Sequence, residues 1–99
     1  MLSSAYVPFF RWANPMYVEF LGIPRERAGT SEMEVEAGTL GELFGALTTR
    51  CPGLRELITA KGLHPSVAAN LNGDLFVSDP STPLADDDRL LIISADAGG

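Results

Sequence analysis

The sequence has 99 residues, of which 45% are hydrophobic and 20% are charged, so it encodes one small globular domain rather than a disordered chain. Thirteen acidic and seven basic residues give a net charge of -6. This excess of negative charge argues against nucleic acid and anionic membrane surfaces as partners, since both attract lysine and arginine. A domain of this size also has no room for a deep catalytic cavity between domains.

The cysteine count and the N-terminus indicate where the protein is located. Cys51 is the single cysteine, which excludes an internal disulfide and is typical of a reducing compartment. Residues 1–15 lack the basic start of a signal peptide, and no run approaches the ~20 apolar residues of a membrane helix. We therefore expect a cytoplasmic protein.

Residues 1–15 contain two prolines and four aromatic residues without a clear period. They are interpreted as an N-terminal extension that precedes a domain over residues 16–93. The alternative is a short segment whose aromatic side chains dock on the domain or on a partner.

Hydrophobic alternation predicts two strands at the start of this domain. Residues 16–21 place Val18 and Phe20 on one face. Residues 31–36 alternate between apolar and glutamate side chains, as in a half-buried antiparallel strand that pairs with the first. The segment between them, 22–29, is predicted to be a polar loop closed by glycines.

A helix is predicted to begin after Thr39, since Thr39 and Glu42 have the spacing of a capping box. The helix carries one apolar stripe and ends before Pro52. Residues 54–60 are predicted to form a second, shorter helical turn. The stripe consists of Leu40, Leu43, Phe44 and Leu47.

The second half of the chain is predicted to be mainly β-structure. Asn72-Gly73 lies between apolar runs over 67–71 and 74–77, which is the strongest short signal for a hairpin. Residues 89–93 are apolar after Arg89 and are expected to form a central strand.

This order of elements predicts an α+β fold of the β-grasp (ubiquitin-like) type, in which a four- to five-stranded mixed sheet packs on one main helix. The last strand is expected to lie between the first and the third. Residues 94–99 then form a flexible C-terminal Gly-Gly tail with nothing to anchor it.

The sequence contains no conventional active site. His64 and Cys51 are the only residues of their kinds, too few for a zinc site, and we expect a solvated loop histidine and a buried small hydrophobe. The acidic turn 86–88 lacks the spacing of a calcium loop, and the glycines near the helix lack the order of a phosphate loop. We therefore expect no autonomous active site, no bound metal and no intrinsic cofactor.

The remaining candidate is the end of the chain, Gly98-Gly99. Six residues from Ser94 reach roughly 20 Å when extended, enough to thread a carboxylate into a partner's active site. Glycine suits such a channel because it has no Cβ. A carboxylate is inert until it is activated, for instance as an adenylate with AMP as the leaving group. Because the chain has no phosphate-cradling loop for ATP, the nucleotide site is expected on a partner.

A resemblance to a known family is carried by five segments in order: 36–43 at the start of the helix, 51–54 after it, 67–73 at the hairpin, 82–86, and the ending 97–99. Together these segments are similar to the MoaD/ThiS family of ubiquitin-like sulfur carriers, above all to its molybdopterin synthase small-subunit branch. The similarity extends from Met16 to Gly99.

The resemblance implies that Gly99 is adenylated by a ubiquitin-activating-like adenylyltransferase, which uses ATP, and is then converted to a thiocarboxylate. In the molybdopterin branch, the tail inserts into the large subunit of molybdopterin synthase and its sulfur builds the dithiolene of molybdopterin. The chain would then be a non-catalytic small subunit or co-substrate. Ala95 and Asp96 replace a frequent Pro-Val pair, and the charge of Asp96 requires a lysine or arginine in the partner's channel.

Partner binding is expected at the tail and at an apolar patch beside it. The last strand must present one pair outward or pack it on residues 1–15, either Leu90 and Ile92 or Leu91 and Ile93, and Phe76 is expected to join the outward pair. The predicted partner-binding residues are Phe76, Leu91, Ile93, Asp96, Ala97 and Gly98, with Gly99 as the reacting residue.

Three alternatives remain open at this point. The chain could carry sulfur for another pathway, such as thiamine or cysteine synthesis or tRNA thiolation. It could be a ubiquitin-like modifier that forms an isopeptide bond between Gly99 and a lysine. It could also be a plain β-grasp interaction domain whose tail has no chemical role.

Overall fold

A computed structural model describes residues 15–59 and 61–95. Within these residues the chain forms two α-helices, a short 3-10 turn and seven strands. The helices are α1 (Ile23–Ala28) and α2 (Leu40–Arg50), and the 3-10 turn is Pro52–Leu54. The strands are β1 (Met16–Phe20), β2 (Glu32–Val35), β3 (Ile58–Thr59), β4 (Gly62–Leu63), β5 (Val67–Leu71), β6 (Leu75–Val77) and β7 (Arg89–Ser94).

Five of the strands form one mixed sheet in the order β2-β1-β7-β5-β6. Strand β7 is central: it runs parallel to β1 and antiparallel to β5. The last strand was predicted to lie between the first strand and the strand over 67–71, and its position between β1 and β5 confirms this prediction. β1 pairs antiparallel with β2, also as predicted, but the two are joined through α1 rather than by a polar loop.

Helix α2 packs its apolar stripe against one face of this sheet, and we call the opposite face the outward face. All four stripe residues predicted from the sequence are fully buried. They meet the inward side chains of β1 and β7, which alternate with exposed neighbours as the pleat of a strand requires. The result is the predicted β-grasp fold. The inward core residues of these strands are Met16, Val18, Phe20, Leu90 and Ile92.

The N-terminus of α2 is capped by side chains on both sides. Thr39 Oγ1 accepts a hydrogen bond from the Glu42 N–H at 3.2 Å, as predicted. The Glu42 carboxylate accepts from the Gly38 N–H at 2.8 Å, one residue earlier than the capping box places it. Thr39 itself forms a β-bridge with Pro83, which ties the cap to the loop before β7.

Replacement of Thr39 by alanine is expected to lower the free energy of unfolding by about 1 kcal/mol, because one helical N–H loses its acceptor. Urea denaturation measures this loss. Thr49→Ala is the control, since Thr49 is an exposed residue near the other end of α2, and it should change stability by less than about 0.5 kcal/mol. Equal effects of the two substitutions would contradict the capping role.

The predicted loop at 22–29 is wrong, because this segment contains helix α1. Gly22 has φ 70° and redirects the chain out of β1, and Pro24 lies in the first helical turn, where its missing N–H costs nothing. Gly29 ends the helix in the left-handed conformation, with its N–H bonded to the Arg25 carbonyl. The glycines and proline that favoured a loop are therefore the start and stop signals of a short helix.

The predicted helical turn at 54–60 is also wrong. After the 3-10 turn the chain forms β3, which pairs with β4 in a separate two-stranded sheet. Gly53 packs so closely on the Arg27 carbonyl oxygen of α1 that an added Cβ would collide with it. Leu54 and Ile58 are buried in the core. The conformation of this segment is therefore determined by tertiary packing rather than by helix propensity.

The predicted β5–β6 hairpin is confirmed. Both Asn72 and Gly73 adopt positive φ, 57° and 81°. The Asn72 side chain also bonds the turn before β7, since its amide donates to Asp88 Oδ1 at 3.0 Å and its carbonyl accepts from the Arg89 N–H at 2.8 Å. The hairpin is thereby tied to the start of the central strand.

Candidate partner-binding face and tail root

The histidine and cysteine take the environments expected of them. His64 is exposed, and its Nδ1 accepts a hydrogen bond from the Ser66 N–H at 3.0 Å. Cys51 is buried in the core, and this burial raises the pKa of its thiol, against the smaller opposing effect of Arg50. The thiolate is therefore disfavoured at neutral pH. Among the described residues, no group of three or more histidine, cysteine, aspartate or glutamate side chains could hold a metal.

The outward face of β7 is settled by its burial pattern. Leu90 and Ile92 are buried against α2, so Leu91 and Ile93 are the pair that points outward. Phe76, on the neighbouring hairpin, is 69% exposed. These three predicted residues line one shallow groove of about 410 Å³, together with Ala68.

The groove lies directly beside the end of β7. Ser94 and Ala95, the last two described residues, line it as well. The apolar groove and the point at which the chain leaves the sheet are therefore one continuous surface. An apolar surface next to a chain exit is suited to a partner that binds the domain and the tail together.

The other half of the outward face is polar and acidic. Glu19 of β1 is paired in register with Glu32 of β2, and both are exposed. Near them the Arg89 guanidinium lies 4.9 Å from the centre of the Tyr17 ring. The outward face thus has an apolar half near the tail and an acidic half away from it, which is complementary to a partner surface with an apolar area beside a basic one.

The root of the tail is anchored, which corrects the prediction of a free tail from residue 94. Ser94 belongs to β7, and its Oγ accepts a hydrogen bond from the Ile23 N–H at 3.0 Å. The Ala95 N–H donates to the Ser66 carbonyl at 2.7 Å. The prediction missed these bonds because both partners are distant in sequence.

The sequence interpretation also missed two exposed apolar residues near the groove. Leu21 is 37% exposed, and continuing the β1–β7 register places it beside Ile93. Ile23, at the first turn of α1, is 50% exposed. The predicted strand over 16–21 already contains Leu21, and its alternation places Leu21 on the face opposite Val18 and Phe20, which is the signal that could have found it.

Some predicted site residues lie outside the described part of the chain. These are the tail residues Asp96, Ala97, Gly98 and Gly99, and also the segment 1–14. In the described part of the chain, no helix is long and apolar enough to cross a membrane.

The ThiS family matches residues 18–99, which is most of the chain. The five-stranded mixed sheet on one helix is the ubiquitin-like fold, and the chain belongs to the ThiS family, a group of ubiquitin-like sulfur carriers and modifiers. No curated protein sequence gives a significant match.

Solved structures of similar fold come from several sources. A chain in the BexX/CysO complex of Amycolatopsis orientalis is 26% identical, with a TM-score of 0.70, and the alignment covers 85% of this chain and 99% of that one. Small archaeal modifier protein 1 from Haloferax volcanii is 22% identical, with a TM-score of 0.70 and coverage of 87% and 100%. A putative molybdopterin converting factor, subunit 1, from Pyrococcus furiosus is 22% identical, with a TM-score of 0.70 and coverage of 83% and 98%.

Proposed function

We propose that this protein is a cytoplasmic sulfur carrier for molybdopterin synthesis, with Gly99 as the residue that carries the sulfur. The observation that carries the proposal is the placement of the apolar groove, built from Phe76, Leu91 and Ile93, directly beside the chain exit at Ala95. The ThiS family match extends to Gly99, which supports the proposal that the C-terminal end of the chain is the part that reacts.

The proposed chemistry takes place in two steps on partner enzymes. The Gly99 carboxylate attacks the α-phosphorus of ATP, so that pyrophosphate leaves and an acyl-adenylate forms. Hydrosulfide from a sulfur donor then attacks the acyl carbon, AMP leaves, and a thiocarboxylate remains. We place the ATP on a ubiquitin-activating-like adenylyltransferase, because this sequence has no phosphate-cradling loop or basic cluster that could hold a nucleotide.

The acceptor we propose is the large subunit of molybdopterin synthase. Residues 96–99 would enter its active site while the groove binds its surface. Asp96 would bring a negative charge into that channel, so a lysine or arginine of the large subunit must face it. The Pyrococcus furiosus protein of similar fold is described as a putative molybdopterin converting factor subunit, which is consistent with this acceptor.

Phe76→Asp is expected to weaken binding to the activating enzyme by about 10- to 30-fold, because a charge replaces an exposed aromatic side chain that lines the groove. Leu75→Asp is the matched control. Leu75 is the preceding residue on β6 and is 57% exposed, but the alternation of the strand turns it away from the outward face.

Isothermal titration measures both affinities. Leu75→Asp should change the Kd less than about threefold, since a surface substitution outside an interface has little effect. Equal losses in the two variants would contradict docking on the outward face.

The pathway is tested by supplying the thiocarboxylated protein to the large subunit of molybdopterin synthase together with precursor Z. Formation of the dithiolene product, with return of the carrier to a Gly99 carboxylate, is the expected result. Retention of the sulfur on the carrier, while a known small subunit transfers its own sulfur under the same conditions, would overturn molybdopterin as the destination.

A second candidate function is protein modification. It is favoured by the similar fold of small archaeal modifier protein 1, and it needs the same adenylate of Gly99. The acyl carbon would then be attacked by a lysine amine instead of hydrosulfide, which forms an isopeptide bond and releases AMP. Conjugates of higher mass in cell extracts that disappear when Gly99 is deleted would support this function.

A further inference from the structure

Helix α1 receives its N-terminal cap from the far end of the chain. Its own N-cap residue is Gly22, which has no side chain to offer. The first helical N–H, that of Ile23, donates instead to Ser94 Oγ at 3.0 Å, across a sequence separation of 71 residues. The hydroxyl of the last residue of β7 therefore provides the acceptor for a free helical N–H, a role that the side chain of a local serine, threonine, aspartate or asparagine has at many helix N-termini.

The site around this hydroxyl is tightly built. Gly22 has φ +70°, and a Cβ added there would lie 2.7 Å from Ser94 Oγ. Only glycine satisfies both the conformation and the space at this position. On its other side, the root of the tail is held by the bond from the Ala95 N–H to the Ser66 carbonyl at 2.7 Å. Ser94 and Ala95 are thus held between α1 and the segment before β5.

This arrangement fixes the place from which the chain leaves the described part of the fold. Four residues follow Ala95 and span at most ~14 Å when extended. With so short a tail, the direction in which the chain leaves β7 decides whether Gly99 meets a nucleotide bound by a partner that is docked on the groove. A displacement of about 1 Å at a reacting group can cost 100-fold in rate.

We propose that Ser94 is a positioning residue for the activation of Gly99. Its hydroxyl bonds α1 to the end of β7 and so fixes the exit of the tail beside the groove. The inference rests on the proposed function, since it assigns Ser94 a part in the adenylation of that same chain end. The role we propose for Ser94 is exerted through the backbone of residues 94 and 95 and includes no part in the chemical step.

The first test is kinetic and uses the full chain with its activating enzyme. Ser94→Ala should lower kcat for adenylation about three- to tenfold, the effect of one lost hydrogen bond. KM should change less than kcat, because Ser94 lines the groove but its three apolar docking side chains, Phe76, Leu91 and Ile93, are unchanged. Ser94→Thr keeps the hydroxyl and should restore kcat. A change in KM alone, or a Ser94→Thr variant as slow as Ser94→Ala, would overturn the positioning role.

The second test does not need an activating enzyme. Amide hydrogen exchange, followed by NMR, should become about three- to tenfold faster at both Ile23 and Ala95 in Ser94→Ala, after correction for the change at Leu90, whose exchange in the central strand reports the global loss of stability. Faster exchange at Ile23 alone would reduce Ser94 to a helix cap and overturn the inference. If exchange becomes faster at both amides but no enzyme activates the wild-type chain, Ser94 holds the root of the tail as described, and it is the proposed function that fails.

Discussion

Deletion of Gly99 is expected to abolish adenylation and thiocarboxylate formation without a measurable loss of stability. The deletion moves the terminal carboxylate back by about 3.5 Å, which is far outside the tolerance of a positioned reaction. Folding should be unaffected, because the hydrogen bonds described at the tail root are made by Ser94 and Ala95. Adenylation is measured by pyrophosphate exchange into ATP, and stability by thermal unfolding.

The matched control is the addition of one glycine after Gly99, which leaves every residue in place and moves the carboxylate forward by the same distance. It should be as inactive as the deletion. A rate of pyrophosphate exchange within tenfold of the wild-type rate, in either variant, would contradict activation at the end of the chain. A shift of several degrees in the unfolding temperature of the deletion variant would show that the tail contributes to the fold.

Phe44→Ala is expected to lower the free energy of unfolding by about 3–5 kcal/mol. Phe44 lies at the centre of the apolar stripe of α2 and is fully buried against the sheet. Its truncation loses apolar contact and leaves a cavity that a small domain cannot fill by rearrangement. Because domains of this size are stable by only about 5–15 kcal/mol, the loss is a large fraction of the total.

Phe76→Ala is the control for this prediction, since it makes the same chemical change at a site that is 69% exposed. Its effect on stability should be below about 0.5 kcal/mol. Urea denaturation of the two variants, with unchanged slopes, gives the comparison. If the two losses were equal, the assignment of the inward and outward faces would be wrong.

The parts of the fold that could be predicted from the sequence depend on local signals. The alternation in β1 and β2, the capping residue Thr39 and the Asn72-Gly73 turn each involve residues a few positions apart. Such signals decide the type of an element and the face that it buries. With the order of elements, they were enough to predict the β-grasp fold.

The parts that could not be predicted depend on contacts between distant segments. Helix α1 is capped by Ser94, and the 3-10 turn after α2 is held by the close approach of Gly53 to Arg27. Neither contact leaves a local pattern in the sequence. For the same reason the anchored root of the tail was predicted to be free.

The sequence predicts which residues belong to the candidate site, but it does not predict how they are placed relative to one another. The sequence allowed either pair of β7 side chains to face outward, and the burial of Leu90 and Ile92 decides for Leu91 and Ile93. The groove that these two form with Phe76 depends on the pairing of β5 with both β6 and β7. The roles of residues 96–99 stay predictions.

The most direct measurement is the intact mass of the full-length protein after incubation with a ubiquitin-activating-like adenylyltransferase, ATP and sulfide. We expect a gain equal to the exchange of one oxygen atom for one sulfur atom, located by fragmentation at Gly99. An unchanged mass, under conditions that convert another ThiS-family protein, would contradict sulfur carriage at the chain end. Sulfur found on the Cys51 thiol instead would contradict it equally.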